Sequence, residues 1–237
     1  TRVQSPNVVK TVTYGNRNFL YYLTRYIPGP TLEEIIRQRG QLDIADAVEI
    51  TAQLAKALRA LHRKETLHQD LKPANIIIST QGAVLIDFGS CLVAGVDELQ
   101  VPFHRETALG TAEYSAPEYR HGGQRSEKSD QFSLAIVLYE MLTGAHPYGN
   151  GFESAKSLLD FQKLSYTETS RHNPMVPNWM DASIKKALQI NPGLRYESLS
   201  EFMYDLKNPN PAFLTNEFRP LLESNPLRVW QATSGVL

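Results

Sequence analysis

Apolar positions change period several times along this chain, and each change marks an element. Two runs rich in β-branched and aromatic residues, Val8-Val9-Lys10-Thr11-Val12 and Phe19-Leu20-Tyr21-Tyr22-Leu23-Thr24, flank the turn-prone stretch Tyr14-Gly15-Asn16-Arg17-Asn18. That composition predicts a β-hairpin. Gly29-Pro30 breaks the second run, and Thr31 with Glu34 three residues on forms a capping box, so a short helix is expected to end near Gly40. Asp43 then precedes Ala47, Ile50, Leu54, Leu58 and Leu61 at helical spacing, which predicts a longer helix, capped by Asp43, with one buried stripe.

The strand pattern returns in Ile76-Ile77-Ile78 and Val84-Leu85-Ile86 on either side of Gln81-Gly82, predicting a second hairpin that ends at Asp87. A long irregular stretch then runs to Glu118, and loops of that length inside a compact domain usually carry function. From Phe132 to Leu142 almost every position is apolar, the mark of a helix buried on all sides. Weaker helical patterns occupy 152–163, 179–189 and 199–207; in the last, Ser198 and Glu201 form the cap, and Leu199, Phe202, Met203 and Leu206 share a face. The pattern as a whole is α+β, mainly α.

Composition narrows the class. The chain's 237 residues suffice for one large domain or two small ones. Lys plus Arg (24) nearly cancels Asp plus Glu (25), so no net field draws in nucleic acid or an acidic membrane, and a partner must be recognised locally. The single cysteine, Cys91, excludes an internal disulfide or a cysteine-based zinc cluster and fits a reducing, cytoplasmic setting. No stretch reaches the ~18 consecutive apolar residues of a membrane span. With Thr1 at one end and Gly235-Val236-Leu237 at the other, the chain reads as a fragment.

The chemistry is concentrated in two segments. Leu67-His68-Gln69-Asp70-Leu71-Lys72-Pro73-Ala74-Asn75 puts an acid, a cation and an amide in one short loop, and Ile86-Asp87-Phe88-Gly89 puts a second acid at the end of the hairpin that follows. Phosphoryl transfer needs such a set: oxygen ligands for metal ions on the phosphates, an oriented hydroxyl, and positive charge where negative charge accumulates. Taken singly, Asp70 and Asn75 read as turn caps and Asp87 as a strand end. Together the segments closely resemble the catalytic loop and the Asp-Phe-Gly motif of protein kinases.

The resemblance extends in order through Gly110-Thr111-Ala112-Glu113-Tyr114-Ser115-Ala116-Pro117-Glu118, Ser129-Asp130-Gln131-Phe132-Ser133-Leu134 and Asn191-Pro192-Gly193-Leu194-Arg195-Tyr196. It implies a kinase-like C-terminal lobe with a remnant hairpin of the N-terminal lobe: 1–27 as the last small-lobe strands and hinge, 28–207 as the large lobe, and 208–237 as a tail or linker. It implies that Asp70 orients the acceptor hydroxyl and takes its proton, that Lys72 steadies the γ-phosphate of ATP, and that Asn75 and Asp87 hold Mg²⁺. Thr24 takes the gatekeeper position, the backbone of Arg25, Tyr26 and Ile27 meets the adenine, and Ile77 lies under the base, although each of these equally suits plain core or strand surface. His68, Phe88 and Gly89 give structural support. Glu118 and Arg195 would clamp the substrate-docking loop, and Asp130 would accept backbone N–H bonds from the catalytic loop, its plainer reading being a helix-start carboxylate. Lys72 with Thr111 matches Ser/Thr kinases, so the implied partner is a protein Ser/Thr hydroxyl.

The pattern also breaks. The Gly-rich strand-turn-strand, the strand lysine and the helix glutamate of kinases are not visible here. Lys10 imitates the lysine strand but reads as a surface residue. The isolated chain is therefore expected to bind ATP weakly and to transfer phosphate poorly. Gln69 stands where most kinases carry an arginine that grips a loop phosphate, so phosphorylation of Thr107 or Thr111 is not expected to order the loop by that route. Cys91 should lie near the metal-bound phosphates, most simply as an inert packing residue. His68-Gln69-Asp70, the Asp-Phe-Gly-Ser sequence and the tail through Asn225-Pro226-Leu227-Arg228-Val229-Trp230 resemble bacterial kinases in which a metal-dependent Ser/Thr phosphatase domain precedes the kinase and an inner-membrane helix follows it. A regulatory pseudokinase that binds ATP is the alternative for this chain. A small-molecule kinase fits less well, because those lack the Ala-Pro-Glu to Arg clamp and the Gly-Thr docking segment.

Overall fold

The computed structural model describes residues 5–16, 20–93, 112–120 and 122–214. Strands β1 (Thr11–Asn16) and β2 (Leu20–Thr24) form an antiparallel pair, with a register shift between Thr11 and Thr13. The first expected strand begins late for a physical reason. Val8 and Val9 are buried against the next sheet instead, Val9 N–H donating to Leu85 O at 3.0 Å and the Asn7 side-chain amide to Ala83 O at 2.7 Å. Lys10 is exposed, as its sequence context predicts.

Helix α1 (Leu32–Arg39) starts at the expected capping box: Glu34 N–H donates to Thr31 Oγ1 (3.2 Å), and Thr31 N–H to Glu34 Oε2 (2.9 Å). Just before it, Gly29 has φ +141°, and a Cβ there would stand 2.3 Å from Ile78 O, so only glycine lets the chain pass this closely over the following sheet. Helix α2 (Ile44–His62) follows Asp43, whose side chain makes no capping hydrogen bond; the expected cap is absent and only the extended backbone turn remains. Its buried residues include the expected Ala47, Leu54, Leu58 and Leu61, while alanines at 52, 55, 57 and 60 widen the buried face.

Two-residue strand β3 (Thr66–Leu67) leads into the catalytic-loop segment, a 3₁₀ turn spans Pro73–Asn75, and β4 (Ile76–Ser79) pairs antiparallel with β5 (Gly82–Leu85). Strand β6 (Leu92–Val93) returns to pair with β3, bringing the segment after Asp87 back beside the loop that begins at His68. Pattern reading misses this pair because two residues are too few to show alternation.

Helix α3 (Pro117–Arg120) precedes α4 (Glu127–Thr143), the hub of the molecule. Phe132 and Leu134 through Tyr139 are all fully buried, which is what the all-round apolar run predicts. Gly144 ends α4 in the left-handed conformation (φ +67°), and a Cβ there would lie 2.6 Å from Gly40 O, so the ends of α1 and α4 meet backbone to backbone. The expected helix 152–163 is two: α5 (Gly151–Ser154) and α6 (Leu158–Gln162), broken at Ala155 in extended backbone, with Ser157 opening α6 through an N–H···Oγ cap from Asp160. Helices α7 (Asn178–Ala187), α8 (Leu199–Asp205) and α9 (Pro211–Leu214) complete the described residues, and Ser198 caps α8 as expected. The core runs through α2, α4 and α7, each fully buried Leu or Phe contributing about 1.5–3 kcal/mol.

Candidate active site

The site is built from the loop between β3 and β4. Asp130, on the first turn of α4 and 1% exposed, accepts three hydrogen bonds: from His68 N–H (2.9 Å) and His62 Nε2–H (2.9 Å) at Oδ2, and from Gln69 N–H (3.0 Å) at Oδ1. Burial opposes its ionisation, but the His62 hydrogen bond and the charges around it prevail and hold the carboxyl below the ordinary aspartate range. A buried anion in the hub helix thus fixes the backbone immediately before Asp70. Gln69 lies at φ +68°, a conformation a non-glycine residue keeps only when its surroundings enforce it.

Asp70 is fixed in turn by its neighbours. Lys72 Nζ lies 3.0 Å from Asp70 Oδ2, and Asn75 Nδ2 donates to the same oxygen at 3.1 Å and to Asp70 O at 2.9 Å. The 3₁₀ turn at Pro73–Asn75 sets this spacing by folding Asn75 back over Asp70. Ile86 N–H donates to Asn75 O at 2.9 Å, so the end of the second hairpin delivers Asp87 beside Asn75. Asp87 also has positive φ (+61°), and its Oδ1 accepts from Gly89 N–H at 3.0 Å, turning the chain sharply at the Asp-Phe-Gly segment.

His68 binds the two halves. It is fully buried, its ring meets Phe88 edge-on at 5.5 Å, and it feels the charges of Asp130, Asp70 and Asp87. Burial outweighs these carboxylates and pushes its pKa down, so the imidazole is neutral at physiological pH. Asp70 and Asp87 therefore both lie within electrostatic reach of the same ring.

Asn75 has its amide nitrogen committed to Asp70, which leaves its amide oxygen, with the carboxylate of Asp87, as the donor pair for a hard cation. That set fits Mg²⁺, which takes one or two protein oxygens and completes its shell with phosphates and water. Among the described residues no group of three or more His, Cys, Asp or Glu side chains forms an all-protein metal site.

The other residues named from the sequence fall as follows. Thr24, Arg25 and Tyr26 are exposed, Tyr26 at 84%, and Ile27 is half-buried. Ile77 is half-buried on β4 and bridges to Thr31. Cys91 N–H donates to Phe88 O at 3.2 Å; its thiol is partly covered, and burial pushes its pKa up to about 12. Thr107 and Thr111 lie outside the described residues. Arg195 meets Glu118 end-on through two 2.8 Å hydrogen bonds from Nη1 and Nη2, and Ser129 Oγ donates to Glu118 Oε1 at 2.7 Å. Burial works against the Glu118 carboxylate, but the Arg195 bonds outweigh it and keep its pKa low.

Sequence reasoning misses three supports, two around the docking segment and one behind the catalytic loop. Arg120 donates to Ala112 O (3.3 Å), Phe152 O (2.7 Å) and Glu153 O, with its guanidinium 5.3 Å over the Phe161 ring. His146 donates from Nε2 to Glu113 O (2.9 Å) and accepts at Nδ1 from Tyr148 N–H (3.2 Å), an arrangement only the neutral ring allows; burial lowers its pKa to about 4. His62 is the third. All three partner groups distant in sequence, so no local pattern announces them.

A helical hub that anchors a loop of Asp, Lys and Asn, with a second Asp delivered by the next hairpin, defines a kinase-like fold: the large lobe with a remnant of the small lobe's sheet. The chain belongs to the protein kinase domain family, whose model matches residues 1–205. It is 34% identical over 217 residues to the serine/threonine-protein kinase PrkC of Bacillus subtilis, covering 90% of this chain and 33% of that protein. It is 35% identical over 187 residues to the serine/threonine-protein kinase PknB of Mycolicibacterium smegmatis, covering 78% and 30%. This chain thus spans about a third of the length of these curated relatives. In fold it is similar to the crystal structure of the Mycobacterium tuberculosis PknI kinase domain, with a TM-score of 0.69, 22% identity, and coverage of 88% of this chain and 74% of that one.

Proposed function

We propose that this chain is the large-lobe and hinge portion of a bacterial protein kinase that moves the γ-phosphate of ATP to a Ser or Thr hydroxyl of a protein. The observation that carries the reading is the closed geometry of Asp70, Lys72 and Asn75, within 3.1 Å of one another's polar atoms and tied by Ile86 N–H to the segment that bears Asp87. The names of the relatives support the Ser/Thr acceptor class.

Asp70 receives the acceptor proton. Its carboxylate is held in one orientation by Lys72 and Asn75, so the hydroxyl it accepts from is aligned before transfer. Lys72 places a cation where charge builds on the phosphoryl oxygens. Asn75 and Asp87 would hold Mg²⁺, which would supply charge neutralisation on the phosphates. The neutral His68 ring packs on Phe88 within reach of both acids without adding a cation there. Thr24 and Ile77, with the backbone of Arg25, Tyr26 and Ile27, take the adenine. We also assign the whole protein to kinases fused to a phosphatase domain and anchored by a later helix, which the tail sequence supports and the gene on either side of this segment tests. No helix among the described residues is long and apolar enough to cross a membrane.

The test is phosphoryl transfer from radiolabelled ATP to dephosphorylated casein by the full gene product that carries this chain. Asp70→Asn should lower the rate at least ~100-fold while Mg²⁺·ATP still binds, and Asp87→Asn should abolish Mg²⁺-dependent ATP binding. Transfer unchanged in Asp70→Asn would overturn the assignment.

A further inference from the structure

Gln69 is held in the catalytic loop from two sides, by Asp130 and by Arg125. It is 2% exposed and sits at φ +68° directly before Asp70. Its backbone N–H goes to Asp130, and its side-chain Oε1 accepts from Arg125 Nη1 at 3.1 Å. The Gln69 Nε2 group meets no acceptor among the described residues, so there the Arg125 bond is the side chain's one hydrogen bond. Arg125 is itself braced: its guanidinium lies 5.2 Å over the ring of buried Tyr119 on α3, one residue from the Glu118 that Arg195 holds, and Ser126, next in the chain, opens α4.

We infer that Arg125 is a positioning residue for phosphoryl transfer, coupling α3 to the catalytic loop by gripping Gln69 and so fixing Asp70. The inference rests on the kinase reading above. The coupling is set by charge and chemistry together. A neutral amide oxygen at position 69 accepts from a guanidinium, a carboxylate there accepts more strongly, and a second cation is repelled at this distance. Without the grip, a buried amide loses its partner and a left-handed residue loses one of its two restraints, and the loop regains other conformations. Among the described residues Arg125 bonds to Gln69 and stacks on Tyr119, so its effect on Asp70 should pass through Gln69.

The experiment uses the full gene product, with casein and radiolabelled ATP for kinetics and amide hydrogen exchange at residues 68–70 as a readout independent of catalysis. Arg125→Met should lower kcat about 10-fold with KM for ATP within about twofold, and speed Gln69 amide exchange about 10-fold, while the global unfolding midpoint hardly moves. Arg125→Lys should recover part of kcat. Gln69→Arg should match the loss, and the double variant Gln69→Arg with Arg125→Glu should return to within about threefold of wild type, a coupling that a merely structural role would not produce. If Arg125→Met leaves kcat and exchange at wild-type values, or if the charge-swapped pair is no better than Gln69→Arg alone, the inference is overturned. A wild type that transfers no phosphate would sink the kinase reading instead, with the exchange rates still reporting whether the grip exists.

Discussion

Glu118 and Arg195, 77 residues apart in sequence, meet as a two-pronged ion pair in which Arg195 Nη1 and Nη2 each donate to a separate carboxylate oxygen at 2.8 Å. The remaining capacity of the guanidinium goes to the backbone oxygens of Lys128, Gln189 and Ile190, and its plane lies 4.7 Å over Phe132. With both side chains essentially buried, the pair is satisfied on every side and ties α3 to the hub and to the turn before α8. Removing one partner strands the other, so Arg195→Ala or Glu118→Ala should cost about 3–5 kcal/mol in urea unfolding, and the double change to apolar residues of similar volume should cost much less than the sum. Additive losses would show the two groups to be independent.

Asp130 should be equally exposed to substitution, for a different reason. Asp130→Asn replaces one of its two accepting oxygens with a donor, leaving either His68 N–H and His62 or Gln69 N–H without an acceptor in the core. We expect a loss of about 2–4 kcal/mol and faster amide exchange at His68 and Gln69 ahead of global unfolding. Exchange unchanged at both amides would show that the loop holds its shape without the carboxylate.

Acid should weaken the fold before its carboxylates titrate. His146 has its pKa lowered to about 4 by burial, against an ordinary value near 6.5, so between those pH values the unfolded chain binds a proton that the folded chain refuses. Stability from this group is complete above about pH 6.5 and declines as pH falls toward 4, by no more than about 3 kcal/mol. Chemical denaturation of wild type and His146→Gln at pH 7 and pH 5 measures it: the wild type should lose more than the variant on going to pH 5. Equal losses would remove His146 from the account.

Cys91 should be a poor nucleophile in spite of its place beside the Asp-Phe-Gly segment. With its pKa raised to about 12, about one thiol in 10⁵ is ionised at pH 7, roughly a thousandfold below an ordinary cysteine. Iodoacetamide labelling of the native protein, followed by mass, should be slower than labelling of the urea-unfolded chain by a factor of that order. Comparable rates would contradict the partly covered, uncharged thiol.

Local chemistry wrote the elements whose causes are local. The Thr31 to Glu34 box, the Ser198 cap and the all-apolar run inside α4 are decided within a turn or two of helix, and each stands where the residue pattern puts it. Errors arose where a local pattern was in competition with a distant partner. Val8 and Val9 have strand composition, yet their backbone and side chains are more fully satisfied by β5 than by β2, so the first hairpin starts at Thr11. Residues 152–163 look helical throughout, but Phe152 and Phe161 both face the core and the chain must break between them for both to be buried.

The order and spacing of Asp70, Lys72, Asn75 and Asp87 already point to the proposed chemistry in the sequence, because a charged loop and the hairpin after it are short enough for covalent geometry to bring them near one another. What residue pattern and spacing alone do not decide is which groups hold that loop in place: the Asp130 and Glu118–Arg195 contacts are expected only through the family resemblance, and those of His62 and Arg125 not at all. Asp130 and Arg125 reach it from 56 to 62 residues away, His62 reaches Asp130 from 68, and Arg195 reaches Glu118 from 77. Such partners are selected when α4 is buried and its first turn, with its charges, must be satisfied inside the core. That demand exists only once the tertiary structure has formed.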